Sequence, residues 1–165
     1  MERLWAPWRM SYVGAAERAD GCFFCDALAS SDDRKVLVLR RRPLAFLILN
    51  AFPYASGHLM AALTHHVGTL GEATATELGE AMGLVQTAIR ALDRAYHPDG
   101  YNVGINQGRV AGAGVEGHLH IHVVPRWNGD TNFMPVLGEV RVIPESLDAT
   151  YDRLAAALAS DEGRG

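Results

Sequence analysis

Apolar positions along this chain follow two periods, and the switches between them predict its elements. Lys35–Arg40 and Leu44–Leu49 are short β-rich runs parted by Arg41-Arg42-Pro43, which predicts a hairpin. Asn50-Ala51-Phe52-Pro53-Tyr54-Ala55-Ser56-Gly57 is rich in turn formers and leads into a third predicted strand, His58–Leu63. The period then lengthens: Leu78, Ala81, Met82, Val85, Ala88, Ile89, Leu92 and Tyr96 follow at spacings of three and four, behind a Thr74-Ala75-Thr76-Glu77 capping box. Pro98 and Gly100 end this helix, and His97 is expected to cap its C-terminus. Gly79 and Gly83 lie inside it, each costing about 1 kcal/mol against Ala. Either another element, such as a partner subunit, approaches closely there, or the helix simply tolerates them.

Tyr101–Asn106 predicts a fourth strand, Gln107–Gly117 a glycine-rich loop, and residues 117–125 a fifth strand. Asn128-Gly129-Asp130 reads as a turn, and Glu145–Ala159 as a final helix carrying Leu147, Tyr151, Leu154, Ala155 and Leu158. Residues 1–20 hold Trp5, Pro7, Trp8 and Tyr12 with little periodicity and read as an aromatic arm. The expected fold is α+β, an antiparallel sheet of about five strands with one long helix packed on it and a C-terminal helix after it. The expected organisation is one domain over 1–165, with the arm at 1–20, a core at 21–135 and a C-terminal extension at 136–165.

A chain of 165 residues that is 48% hydrophobic and 21% charged can build a real core, so wholesale disorder is not expected. Net charge of -4 and a pI near 5.9 argue against a general nucleic-acid binder, which leaves Arg40-Arg41-Arg42 as a solvated strand end. No apolar run approaches the roughly 20 residues of a membrane span, and Met1-Glu2-Arg3-Leu4-Trp5 lacks a signal-peptide core. The expected location is the cytoplasm. Cys22 and Cys25 are the only cysteines and lie too close for a useful staple, which fits a reducing compartment.

Candidate chemistry concentrates in Gly117-His118-Leu119-His120-Ile121-His122-Val123-Val124. Strand alternation puts His118, His120 and His122 on one face and Leu119, Ile121 and Val123 on the other. Imidazole can be neutral, nucleophilic or metal-binding near pH 7. Three such rings can hold one catalytic metal, serve as nucleophile and hydrogen-bond donor, or merely cap a solvated face. Amides of the preceding glycine loop could face an anion. Cys22-x-x-Cys25 has the spacing of a zinc knuckle. A redox dithiol is the rival, disfavoured because Cys22 is expected to follow an irregular arm rather than a strand entering a helix; two inert thiols are the remaining alternative.

Several of these motifs stand in a telling order: Cys22-Phe23-Phe24-Cys25, then Leu49-Asn50 with Pro53 and Gly57-His58, then the histidine strand with Pro125-Arg126 behind it. Together they resemble the histidine triad family of nucleotidyl hydrolases and transferases, over about residues 22–135. Arg126-Trp127-Asn128-Gly129-Asp130-Thr131-Asn132-Phe133 and the Trp5/Trp8 arm resemble bacterial members acting on diadenosine polyphosphates, near the fragile histidine triad hydrolases and the diadenosine tetraphosphate phosphorylases.

The resemblance implies a nucleophile at His120, attacking the α-phosphorus to form a covalent nucleotidyl-histidine, with a backbone carbonyl holding its other nitrogen protonated. It implies that His122 hydrogen-bonds the phosphoryl oxygens, that His58 lines the site, and that Asn50 contacts the ribose, where the residue alone would read as a turn former. Asn106 and the amides of Gly112 and Gly114 are expected near the phosphates. Phe24, Leu49 and Leu59 or Met60 are expected either to wall the base or to be plain core. A structural zinc is implied on Cys22, Cys25, His66 and His118, with His65 as an alternative to His66. Many diadenosine hydrolases carry Gln four residues before the triad where this chain has Gly114, so water and inorganic phosphate both stand as acceptors. The implied substrate is a dinucleoside polyphosphate such as diadenosine tetraphosphate, and the implied assembly a homodimer. The alternatives are a purine nucleoside phosphoramidase and a non-enzymatic zinc-stabilised nucleotide sensor. A uridylyltransferase is disfavoured, because that relative replaces the third histidine with Gln.

Overall fold

The structure is a computed structural model that describes residues 21–130 and 145–162. The expected aromatic arm and residues 131–144 lie outside the described residues. Five strands, β1 (Val38–Arg41), β2 (Ala45–Leu49), β3 (Leu59–Leu63), β4 (Gly100–Gly104) and β5 (His120–Arg126), form one antiparallel sheet in the order β1-β2-β3-β5-β4. Among the described residues three α-helices accompany it: α1 (Phe23–Ala29), α2 (Ala75–Tyr96) and α3 (Leu147–Glu162). This is the α+β architecture expected from the pattern.

The two faces of the sheet are both covered, but differently. On one, Ala45, Leu47, Leu49, Leu59, Ala61, Leu63, Leu119, Ile121 and Val123 pack against Ala81, Leu84, Val85, Ala88, Ala91 and Leu92 of α2 and Leu154 and Leu158 of α3. On the other, Val38, Phe46, Ile48, Met60 and Ala62 meet Phe24 and Ala27 of α1. Burial on both faces explains why β2 and β3 are continuous apolar runs rather than alternating ones.

Helix α2 begins with the expected capping box, the Thr74 amide donating to Glu77 Oε2 at 2.7 Å and the Glu77 amide to Thr74 Oγ1 at 3.3 Å. His97 takes its C-cap in the left-handed conformation. A Cβ added at Gly79 or Gly83 would meet nothing within 4 Å, so no element among the described residues makes the close approach entertained for them. Gly57 differs: its φ is +81°, and an added Cβ would lie 2.7 Å from Leu92 Cδ2 and 3.4 Å from Tyr96 on α2.

Several boundaries differ from expectation. Strand β4 stops at Gly104, leaving Asn106 in the following loop, and β5 starts at His120, so His118 precedes it. The unforeseen helix is α1, whose seven residues are too few to be stable alone or to show a period. Arg41 holds its C-terminal end. The guanidinium donates to the carbonyls of Leu28 and Ala27 at 2.8 Å and of Ser30 at 3.0 Å, while its Nε donates to Asp33 at 2.8 Å. The basic cluster is therefore not merely solvated: Arg41 clamps α1, and Arg40 donates to the Leu158 carbonyl of α3 at 3.2 Å.

Candidate active site and metal cluster

Strand register sets the floor of the site. His122 lies opposite Met60 on β3 and Gly104 on β4, and His120 lies opposite Ala62, so small or flexible neighbours flank both rings. Asn50 follows β2 and His58 precedes β3, at the same end of the hairpin, their backbones joined by Asn50 N–H to His58 O at 2.9 Å. The turn between them is built as Asn residues build turns, with Asn50 Oδ1 accepting from the Phe52 amide at 2.8 Å. The Asn50 amide nitrogen lies 3.3 Å from His58 Nδ1.

Hydrogen bonds dictate which nitrogen of each ring carries its proton. The Tyr54 N–H donates to His58 Nδ1 at 3.1 Å, so neutral His58 bears its proton on Nε2. That Nε2–H donates to His122 Nδ1 at 3.0 Å, which moves the proton of neutral His122 to its own Nε2. His120 runs the other way. Its Nδ1–H donates to the His118 carbonyl at 2.7 Å, leaving the lone pair on Nε2. Burial lowers the pKa of His120 below the ordinary histidine range, which favours the neutral ring that carries this lone pair. The rings of His120 and His122 stand 4.9 Å apart, edge to face. The arrangement therefore offers one imidazole lone pair beside one imidazole N–H donor, the pair needed to attack a phosphorus and to stabilise charge on its oxygens.

His118 belongs to a different centre. Its Nε2–H donates to the Leu63 carbonyl at 2.7 Å, and its Nδ1 faces Cys22 Sγ at 3.2 Å and Cys25 Sγ at 3.6 Å. His66 Nδ1 lies 3.2 Å from Cys25 Sγ, and all four donor atoms fall within 4.8 Å of one another. Zinc bonds of about 2.0–2.3 Å at tetrahedral angles separate such donors by roughly 3.3–3.8 Å, so the set fits the ion with little movement. The carbonyl on the far side of His118 is the partner that a metal-bound imidazole requires. With both ring nitrogens so occupied, His118 does not converge with His120 and His122 on one metal.

Other residues resolve alternatives or depart from expectation. His65 Nδ1 lies 3.1 Å from Glu77 Oε1, whereas His66 faces the thiols, so His66 is the cluster member. Cys22 occupies the N-cap of α1, and the arm expected before it lies outside the described residues; among the described residues, the two imidazoles facing the sulfurs disfavour a redox dithiol. Burial, followed by the neighbouring Cys22 thiol, also raises the Cys25 pKa, the opposite of an activated thiol. The Gly112 amide donates to the Arg109 carbonyl at 2.9 Å, closing a 3₁₀ turn (Arg109–Ala111), so it is not aimed outward as expected. Gly114 and Asn106 are half-buried in the same loop. Phe24, a candidate base wall, is fully buried against His118 and His120, with ring centroids at 5.1 and 4.8 Å. Tyr54, unforeseen, has its ring 4.8 Å from that of His58.

The HIT domain family profile matches residues 32–129. The chain belongs to the histidine triad (HIT) family. Among HIT relatives, a protein of Mycobacterium tuberculosis (strain ATCC 25618 / H37Rv) named AP-4-A phosphorylase is 38% identical over 166 residues, 96% of this chain and 85% of that protein. The uncharacterized HIT-like protein MJ0866 of Methanocaldococcus jannaschii is 33% identical over 120 residues, covering 73% and 89% of the two chains. A Zn-bound histidine triad family protein from Mycobacterium smegmatis shares the fold with a TM-score of 0.65 at 22% identity, over 95% of this chain and 99% of that one.

Proposed function

We propose that this HIT protein is a nucleotidyl transferase that cleaves dinucleoside polyphosphates of the diadenosine tetraphosphate type through a covalent nucleotidyl-His120. The observation that carries the reading is the hydrogen bonding of the two rings, His120 Nδ1 to the His118 carbonyl and His122 Nδ1 to His58 Nε2, which assigns a lone pair to His120 Nε2 and a proton to His122 Nε2. His120 Nε2 attacks the α-phosphorus as the bond to the bridging oxygen breaks, and the nucleoside polyphosphate departs. The ring gains positive charge in this step, which the His118 carbonyl stabilises by accepting the Nδ1–H hydrogen bond. His122, oriented by His58, donates to the phosphoryl oxygens, and loop amides from Gly114 onward add donors. Asn50 is assigned to the ribose and Asn106 to the phosphate side. An acceptor oxygen then attacks the same phosphorus and frees His120. Inorganic phosphate gives a nucleoside diphosphate and water a nucleoside monophosphate; the name of the 38%-identical relative favours phosphate.

Cys22, Cys25, His66 and His118 are assigned to a zinc ion, which would supply a structural crosslink between α1 and the triad strand. The chain is further proposed to act in the cytoplasm, in keeping with two free thiols, and to form a homodimer. Edge strand β4 exposes Val103. Exposed Met82 lies on the α2 face that, two and three turns on, meets the Tyr101 hydroxyl of β4 through the Ile89 carbonyl and the Asp93 carboxylate. Sedimentation should return the mass of two copies; a single-copy mass would reject the dimer.

The deciding experiment uses diadenosine tetraphosphate labelled at the α-phosphorus, with and without phosphate. Brief incubation should leave an acid-labile, alkali-stable adduct on His120, and phosphate should shift the labelled product from AMP to ADP. Turnover without any adduct on His120 would overturn the mechanism.

A further inference from the structure

The side chain that joins the metal cluster to the nucleophile is Phe24. It lies between Cys22 and Cys25 in sequence and is 1% exposed. Its ring is 5.1 Å from that of His118, 4.8 Å from that of His120, and 6.1 Å from Phe46 on β2, which it meets edge-on. One edge of the His120 ring is held by the His118 carbonyl. That hydrogen bond, with the His122 ring edge-on at 4.9 Å, does not by itself fix the χ2 torsion, which is broad for imidazole. Phe24, packed on that ring, limits the rocking.

Helix α1 cannot hold Phe24 there by itself, because seven residues lack helical stability of their own. Besides the packing of Phe24 and Ala27 on the sheet, two polar anchors hold its ends. At its C-terminal end Arg41 binds the carbonyls of Ala27, Leu28 and Ser30. At its N-terminal end the anchor is the thiol pair facing His66 and His118. With the Arg41 end fixed, loss of the thiol anchor lets the helix pivot about that clamp. Phe24, one residue from Cys25, moves with the loosened end.

We propose that Phe24 is a positioning residue for the nucleophile, transmitting occupancy of the Cys22–Cys25–His66–His118 cluster to the orientation of His120. The proposal rests on His120 being the nucleophile. It differs from the expected base-wall role, since the ring acts through His120 rather than by touching substrate. A misplacement of about 1 Å at a reacting group costs up to about a hundredfold in rate, so a loosened ring should lose about tenfold.

The test uses the full-length chain, wild type and Phe24→Leu, each zinc-loaded and zinc-stripped. Three readouts are needed: the single-turnover rate of adduct formation from diadenosine tetraphosphate, the affinity for AMP, and the NMR signal of the His120 Nδ1 proton. Stripping should slow adduct formation about tenfold in wild type and broaden that proton signal, with AMP affinity changed less than about twofold. Zinc-loaded Phe24→Leu should be slowed by a similar factor, and stripping should then add little. Equal slowing of both proteins by stripping would overturn the proposal, because the coupling would then run through the His118 backbone. So would an unchanged rate in zinc-loaded Phe24→Leu, a measurement that needs no stripped protein. If zinc-loaded wild type forms no adduct, the nucleophile assignment itself fails, while the proton signal still reports whether Phe24 restrains His120.

Discussion

His118 and His120 are two slots apart and both buried, yet they present opposite nitrogens to their surroundings. His118 gives its Nε2 proton to the Leu63 carbonyl and turns Nδ1 toward two thiols. His120 gives its Nδ1 proton to the His118 carbonyl and keeps Nε2 as a lone pair. Residue type, neighbours in sequence and burial are nearly the same. What differs is which edge of the ring a main-chain carbonyl reaches, and with it which nitrogen is left for the proposed roles of metal ligand and nucleophile. His122 provides a third case, in which another imidazole rather than a carbonyl sets the tautomer.

Swapping each ring for a methyl should expose the contrast most strongly. His120→Ala should lower turnover by at least about 10⁴-fold while nucleotide affinity and zinc content persist. His118→Ala should instead lose zinc and thermal stability, with the surviving folded fraction still forming some adduct. Metal analysis beside single-turnover kinetics checks both, and turnover by His120→Ala would erase the distinction. The next effect is smaller and tests the third ring. His58→Phe removes the donor to His122 Nδ1, so both His122 tautomers become populated; kcat should fall by about 10²-fold with little change in KM. An unaltered kcat would show that His122 needs no relay.

The smallest expected effects lie away from the triad, at the cap of α2. Thr74→Ala should cost about 1 kcal/mol of stability without altering kcat. Its partner Glu77 supplies a pH signature. Hydrogen bonds from the Thr74 amide and hydroxyl hold the Glu77 carboxyl below its usual range. Its contribution is therefore complete above the unfolded value of about 4.3 and lost as pH falls through the lower folded one. The stability gap between wild type and Glu77→Gln should be constant near neutrality and close below about pH 4. A gap that widened in acid would contradict the assignment.

The same contrast explains what the sequence could and could not reveal. Helix α2 was legible because its cap and its apolar period are local, and so was the row of imidazoles, because strand alternation is local. The His120 tautomer followed from the resemblance, and its carbonyl, that of His118, is local. Those of His118 and His122 were not legible, since their partners Leu63 and His58 lie far away in the chain and are joined only by the fold. Helix α1 was hidden for a similar reason: its carbonyls are satisfied by Arg41, a residue whose surroundings read as an ordinary charged turn. The choice of His66 over His65 likewise depended on Glu77, whose capping role was visible but whose second partner was not.

Gly57 carries one further consequence. Its left-handed backbone and the closeness of Leu92 leave no comfortable room for a side chain, so the helix under the sheet fixes how high the Asn50–His58 loop can ride. The reach of His58 toward His122 is thus gauged by a hydrogen atom where any other residue would put a carbon, and the spacing of the two rings is inherited from the packing of the opposite face.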